Sequence, residues 1–109
     1  MPFGKRDSGA VSTPPVKELP VPPAARSGKG ASEVFRAFIV DGGLQVSLQR
    51  GFDDPRMWGI LLADVARHAS RVYQTEGVTG EVEAMAAIRQ LFDAELDRPT
   101  DLGSTSRQH

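Results

Sequence analysis

The sequence has no cysteine and only two histidines, His68 and His109. Without thiols there is no disulfide framework, no thiolate nucleophile and no thiolate metal site, and two histidines cannot build an all-histidine zinc site within one chain. A reducing compartment is compatible with this usage. No apolar run approaches the roughly 18 residues that a membrane span needs, and the opening MPFGKRDSGAVSTPP lacks the apolar core of a signal peptide. The expectation is a soluble, cytoplasmic chain with no membrane partner. Lysine is absent from residues 33–98, whose seven arginines are scattered and outweighed by eleven Asp and Glu, a net charge of −4. Nucleic acid is therefore not expected as a partner, because backbone binding depends on clustered positive charge.

What is present divides near residue 32. Six of the eight prolines (Pro2, Pro14, Pro15, Pro20, Pro22, Pro23) lie before it, with much Gly and Ser, few large apolar residues and a net charge of +3. So few apolar groups do not offset the entropy of ordering about 30 residues, so residues 1–32 read as a disordered, partly polyproline-like arm. Within it Pro20-x-x-Pro23 suits docking in an aromatic groove of a protein partner, although a plain spacer is the simpler reading. Ser27-Gly28-Lys29-Gly30-Ala31-Ser32 lacks the spacing of a phosphate loop and no strand leads into it.

Residues 33–101 carry the folding signals. EVFRAFIV is dense in branched and aromatic residues, and Leu44, Val46 and Leu48 alternate with Gln45, Ser47 and Gln49, so residues 33–50 predict a β-hairpin reversing at Asp41, Gly42 and Gly43. In the first strand Val34, Arg36, Phe38 and Val40 share one face and Phe35, Ala37 and Ile39 the other, so both faces are expected to be partly covered. Residues 54–76 predict an amphipathic helix with Trp58, Leu61, Leu62, Val65, Ala69, Val72 and Tyr73 on one stripe. Asp53 or Asp54 would cap it, Pro55 suits its first turn, and Phe52 is placed as a hydrophobic staple. A second helix follows from Gly80 to Asp97, capped by Thr79, with Met85, Ile88, Phe92 and Leu96 as its buried row. Residues 102–109 read as a frayed tail. The expected fold is α+β, a β-hairpin followed by two α-helices (ββαα). A hairpin with helices on one face is marginal at about 65 residues, so a second copy completing a four-stranded sheet is the simplest cover. Phe35, Ile39 and Trp58 are the expected interface residues.

Candidate chemistry is sparse. Asp64 lies one helical turn before His68, a spacing at which a carboxylate orients an imidazole as general base, and Arg67 or Arg71 could hold an anionic ligand. The plainer reading of His68 is a flank histidine with a local hydrogen bond, since no serine sits in a nucleophile motif and Ser47 and Ser70 have no evident route to it. Asp53 and Asp54 are a conceivable start of a metal site but fit better as caps. Asp93, Glu95 and Asp97 oppose the dipole of the second helix, which a bridge to Arg89 or Arg98 would relieve. No metal and no cofactor is implied. The leading expectation is a non-enzymatic, self-associating interaction or regulatory module with a flexible N-terminal arm; the alternative is a small enzyme or anion-binding protein using Asp64 and His68.

The segments Asp41-Gly-Gly-Leu-Gln-Val-Ser-Leu, Asp54-Pro-Arg-Met-Trp-Gly-Ile-Leu-Leu-Ala-Asp-Val-Ala-Arg-His and Pro99-Thr-Asp resemble a small bacterial family known as domain of unknown function 5076. The resemblance covers about residues 33–101 and leaves the arm outside. It implies an alphaproteobacterial protein and brings Trp58-Gly59, Asp64 and His68 into a family pattern, with no activity, cofactor or catalytic residue attached.

Overall fold

The computed structural model describes residues 15–28 and 30–100; residues 1–14 of the arm, Lys29 and residues 101–109, which include the expected frayed tail, lie outside the described residues. The chain divides into two units, residues 1–32 and 33–109. In the first, the Pro-rich stretch forms one short helix, α1 (Pro23–Ser27), that its composition did not signal. Pro23 begins it with a preset φ, two alanines follow, and Ser27 Oγ donates back to the Pro23 carbonyl at 3.1 Å.

The second unit holds β1 (Phe35–Val40), β2 (Gly43–Leu48), α2 (Arg56–Thr75) and α3 (Glu81–Asp97), in the expected ββαα order. The strands pair antiparallel in a two-stranded sheet. Asp41 (φ 51°) and Gly42 (φ 79°) both take left-handed backbone, which a two-residue hairpin turn requires at its central positions and which an Asp-Gly pair accepts.

The expected entry to α2 is present in detail. Asp54 Oδ1 accepts the Arg56 N–H at 2.9 Å, Pro55 already has helical angles, and the Phe52 ring meets Trp58 edge-on with centroids 5.9 Å apart. The helix closes in a paired C-terminal motif: Val78 N–H reaches the Tyr73 carbonyl and Gly77 N–H the Gln74 carbonyl, both at 3.0 Å, with Gly77 at φ 74°.

At α3 the cap differs from expectation. Thr79 makes no cap; Gly80 occupies that position in extended backbone, with no side-chain bond of its own. Gln74 Oε1, reaching over from α2, instead accepts the Glu81 N–H at 2.8 Å. Thr79 stands one residue too early to serve a helix that begins at Glu81.

The helices pack as a hairpin of their own. Its two buried residues are small, Ser70 on α2 and Ala84 on α3, and half-buried Ala66, Ala69, Met85 and Ile88 lie around them. Phe92 and Leu96, the other half of the predicted buried row, are exposed. Within the unit β1 contacts β2 and α2 contacts α3, and neither strand packs on either helix.

Candidate functional site

The pairing register decides the character of the sheet. Phe35 is opposite Leu48, Ala37 opposite Val46 and Ile39 opposite Leu44, so six apolar side chains share one face. The other face carries Arg36, Phe38, Val40, Gln45 and Ser47. There the Arg36 guanidinium lies 5.1 Å from the Phe38 ring centroid while its Nε meets Glu33 Oε2 at 2.8 Å, so Phe38 is covered by a side chain of the same strand while Val40 stays exposed. The apolar face has no such cover: Ile39 is 82% exposed, Leu44 69% and Val46 49%. The partial cover expected on this face of β1 is found only at its far end, where Phe35 and the opposite Leu48 are half-buried, and not at Ala37 or Ile39, because neither helix reaches the hairpin.

A second apolar surface runs along α2. Leu62, Val65, Val72 and Tyr73 of the predicted stripe are exposed, since α3 takes only the flank that holds Ala66, Ala69 and Ser70. Of the predicted interface residues, Phe35 is half-buried and Ile39 stands open. Trp58 has a local task as well: its Nε1 donates to the Arg50 carbonyl at 2.8 Å.

Most of the polar candidates are drawn to a neighbour, whereas His68 is exposed and, among the described residues, does not make the local hydrogen bond expected of it. Arg67 Nη1 meets Asp64 Oδ1 at 3.1 Å, and no hydrogen bond joins Asp64 to His68. Arg71 Nε faces Glu81 Oε2 at 3.5 Å. Ser70 is fully buried and donates to the Ala66 carbonyl at 2.8 Å, which removes it from any role as an open nucleophile. Arg56 pairs with Asp54 through Nε and Nη2, and this side-chain pairing, helped by the Arg56 N–H, holds the Asp54 carboxyl below the ordinary carboxylate range. The Asp93, Glu95 and Asp97 group makes no bridge to Arg89 or Arg98 among the described residues. Arg89 precedes Asp93 by one turn, the weaker order for such a pair. Glu95 instead accepts the Thr100 hydroxyl at 2.7 Å and its N–H at 2.9 Å, which lowers its pKa in that order of importance. Among the described residues no group of three His, Asp or Glu side chains is gathered as a metal site would need. A shallow depression of about 160 Å³ between Glu33, Arg36, Ser47 and Gln49 is smaller than the roughly 300 Å³ at which small-molecule pockets begin.

The model of the domain of unknown function DUF5076 matches residues 18–100. The chain belongs to the DUF5076 family. The match begins well before the segments quoted above and takes in α1, so part of the Pro-rich stretch is family sequence. A solved structure from the photosynthetic bacterium Rhodopseudomonas palustrus CGA009, provisionally described as a pyruvate dehydrogenase, is 48% identical, with a TM-score of 0.71 over 85% of this chain and 96% of that one. No curated protein matches the chain at a significant level. Among the described residues no helix is long and apolar enough to cross a membrane.

Proposed function

We propose that this DUF5076 chain is a non-enzymatic, self-associating interaction or regulatory module of the bacterial cytoplasm, a homodimer whose N-terminal arm serves as tether or docking segment. The observation that carries the reading is the six-residue apolar sheet face without a helix over it. Burying a Val, Leu, Ile or Phe side chain is worth about 1.5–3 kcal/mol, so a surface of this kind left in water forgoes much of the stabilisation that a 109-residue chain has available. A two-fold partner is the simplest source of cover, because one self-complementary patch then serves both copies. The engagement of Asp64 with Arg67 and of Arg71 with Glu81 supports a surface-burying role over a ligand site. The bacterial neighbour at 48% identity supports the source.

Light scattering on the full chain across the micromolar range tests this. The expected mass is twice the 11.7 kDa of one chain. A single-chain mass at every concentration would overturn the reading.

A further inference from the structure

Self-association alone leaves open which surfaces meet. We propose, resting on that reading, that two copies exchange reciprocally, the apolar sheet face of each hairpin lying on the α2 stripe of the other, so that the main core of the fold is intermolecular. Three observations carry this.

The first is that both surfaces stand bare in the same chain. Leu44, Val46 and Ile39 on the sheet and Leu62, Val65 and Val72 on α2 are all exposed, and strand and helix do not touch. A sheet face and a helix stripe are the two halves of an ordinary α+β layer. Here the two halves are present and unjoined.

The second is that the connection between them is held. Gln49 N–H extends the strand ladder to the Val34 carbonyl at 3.0 Å, and Gln49 Nε2 donates to the Glu33 carbonyl at 2.7 Å. Gly51 passes so close to Val34 that a Cβ there would meet Cγ1 at 2.7 Å. Phe52 N–H turns back to the Arg50 carbonyl, which also takes the Trp58 indole N–H, and the Phe52 ring packs on Trp58. These contacts tie the exit of the hairpin at Arg50 to the start of α2 at Trp58, in an arrangement in which the hairpin and the helices do not pack on each other.

The third is size. Six residues of two paired strands give a footprint of about 200 Å² from strand spacing, and a 20-residue helix adds about 300 Å² from its length and width. A stable interface takes about 800 Å² of accessible surface from each partner. The exchange makes two sheet-on-stripe contacts, so each copy buries its sheet face and a matching part of its stripe, about 400 Å² of footprint before side-chain relief is added, where a single contact gives half of that. Pairing of strand edges by itself would leave the six apolar side chains in water.

A two-fold exchange uses each surface once per copy and closes at two chains. It also makes a distinctive prediction for mixtures. Ile39→Asp disables the sheet face and Val65→Asp the stripe, so each variant alone runs at single-chain mass. Mixed in equal amounts they associate more tightly than either variant alone, though less tightly than the wild type, because one of the two sheet-on-stripe contacts is then formed by intact surfaces. To guard against variants that fail to fold, two single-cysteine chains, Leu44→Cys and Val65→Cys, are mixed with a short bis-maleimide; the absence of native cysteine makes any adduct unambiguous. The expected product is a 44-to-65 adduct between copies. A dimeric wild type that yields only 44-to-44 and 65-to-65 adducts, with no recovery in the mixture of aspartate variants, would overturn the exchange while leaving self-association standing. A wild type of single-chain mass throughout would overturn both.

Discussion

The two hairpins of this chain, one of strands and one of helices, differ in where their stabilising contacts come from. The helical hairpin closes on itself. Its turn satisfies the last carbonyls of α2, Gln74 spans the turn to the first N–H of α3, Arg71 reaches Glu81, and Ser70 and Ala84 let the helices approach. The β-hairpin has an equally well-formed turn and ladder, yet its own cover is limited to Arg36 lying over Phe38, and Ile39, Val40, Leu44 and Val46 stand exposed. Local hydrogen bonding thus completes both pieces, and apolar burial completes neither. Two-stranded sheets are marginal in water without a packed face, so the β-hairpin is the part that depends on something beyond its own elements.

The largest effect expected from this contrast lies on the sheet. Leu44→Asp puts a charge beside Ile39 at the turn end of the apolar face and is expected to weaken self-association by about 100-fold or more, the equivalent of losing one buried leucine and desolvating a carboxylate. Gln45→Asp, one residue along and on the opposite face, should change it by less than about threefold; sedimentation equilibrium on the two variants measures the asymmetry directly. Equal effects would mean that the faces are not distinguished.

Overpacking the helical hairpin comes next. Ala84 is 5% exposed, and Ala84→Leu forces extra volume into a closely packed site at a cost of about 1–3 kcal/mol, which lowers the melting temperature by several degrees. Thermal unfolding followed by far-UV circular dichroism checks it.

The smallest effect concerns pH. Asp54 has a depressed folded-state pKa, so its contribution is complete above the unfolded-state value of about 4 and is lost as pH falls through the lower folded value. Glu95 acts with the same sign. The Asp54→Asn variant keeps an oxygen for the Arg56 N–H but no charge for the guanidinium. Its helix content should therefore lie slightly below that of the wild type at neutral pH and converge with it as pH falls through the folded value of Asp54, as read by dichroism at 222 nm.

Much of this architecture is legible residue by residue. Asp41-Gly42 announces a two-residue turn, Asp54-Pro55 a helix start, and Phe52 with Trp58 a staple, because each of these signals acts over a few residues and has one low-energy solution. The short α1 escaped notice because Pro-rich composition predicts an unordered stretch, whereas Pro22-Pro23-Ala-Ala presets one helical turn. Thr79 misled for a related reason: the chemistry of a cap was present, but the donor it would serve is bonded by Gln74 from another helix. The exposure of Phe92 and Leu96 could not be read from their spacing, which says that they share a face with Met85 and Ile88 and nothing about how far the neighbouring helix extends beside them.

What the sequence by itself determined is the order, kind and punctuation of the elements, together with the alternation that makes β2 two-faced; these follow from backbone preferences and side-chain periodicity. Tertiary structure alone decided three further things. The strand register set Phe35, Ala37 and Ile39 beside Leu48, Val46 and Leu44, so that two half-apolar strands became one wholly apolar face. The path of the segment from Gln49 to Pro55 left that face out of contact with the helices. Side-chain reach turned Asp64 toward Arg67 without bonding it to His68. Each outcome depends on where groups distant along the chain come to rest relative to one another, and that is a property of packing and not of any local pattern.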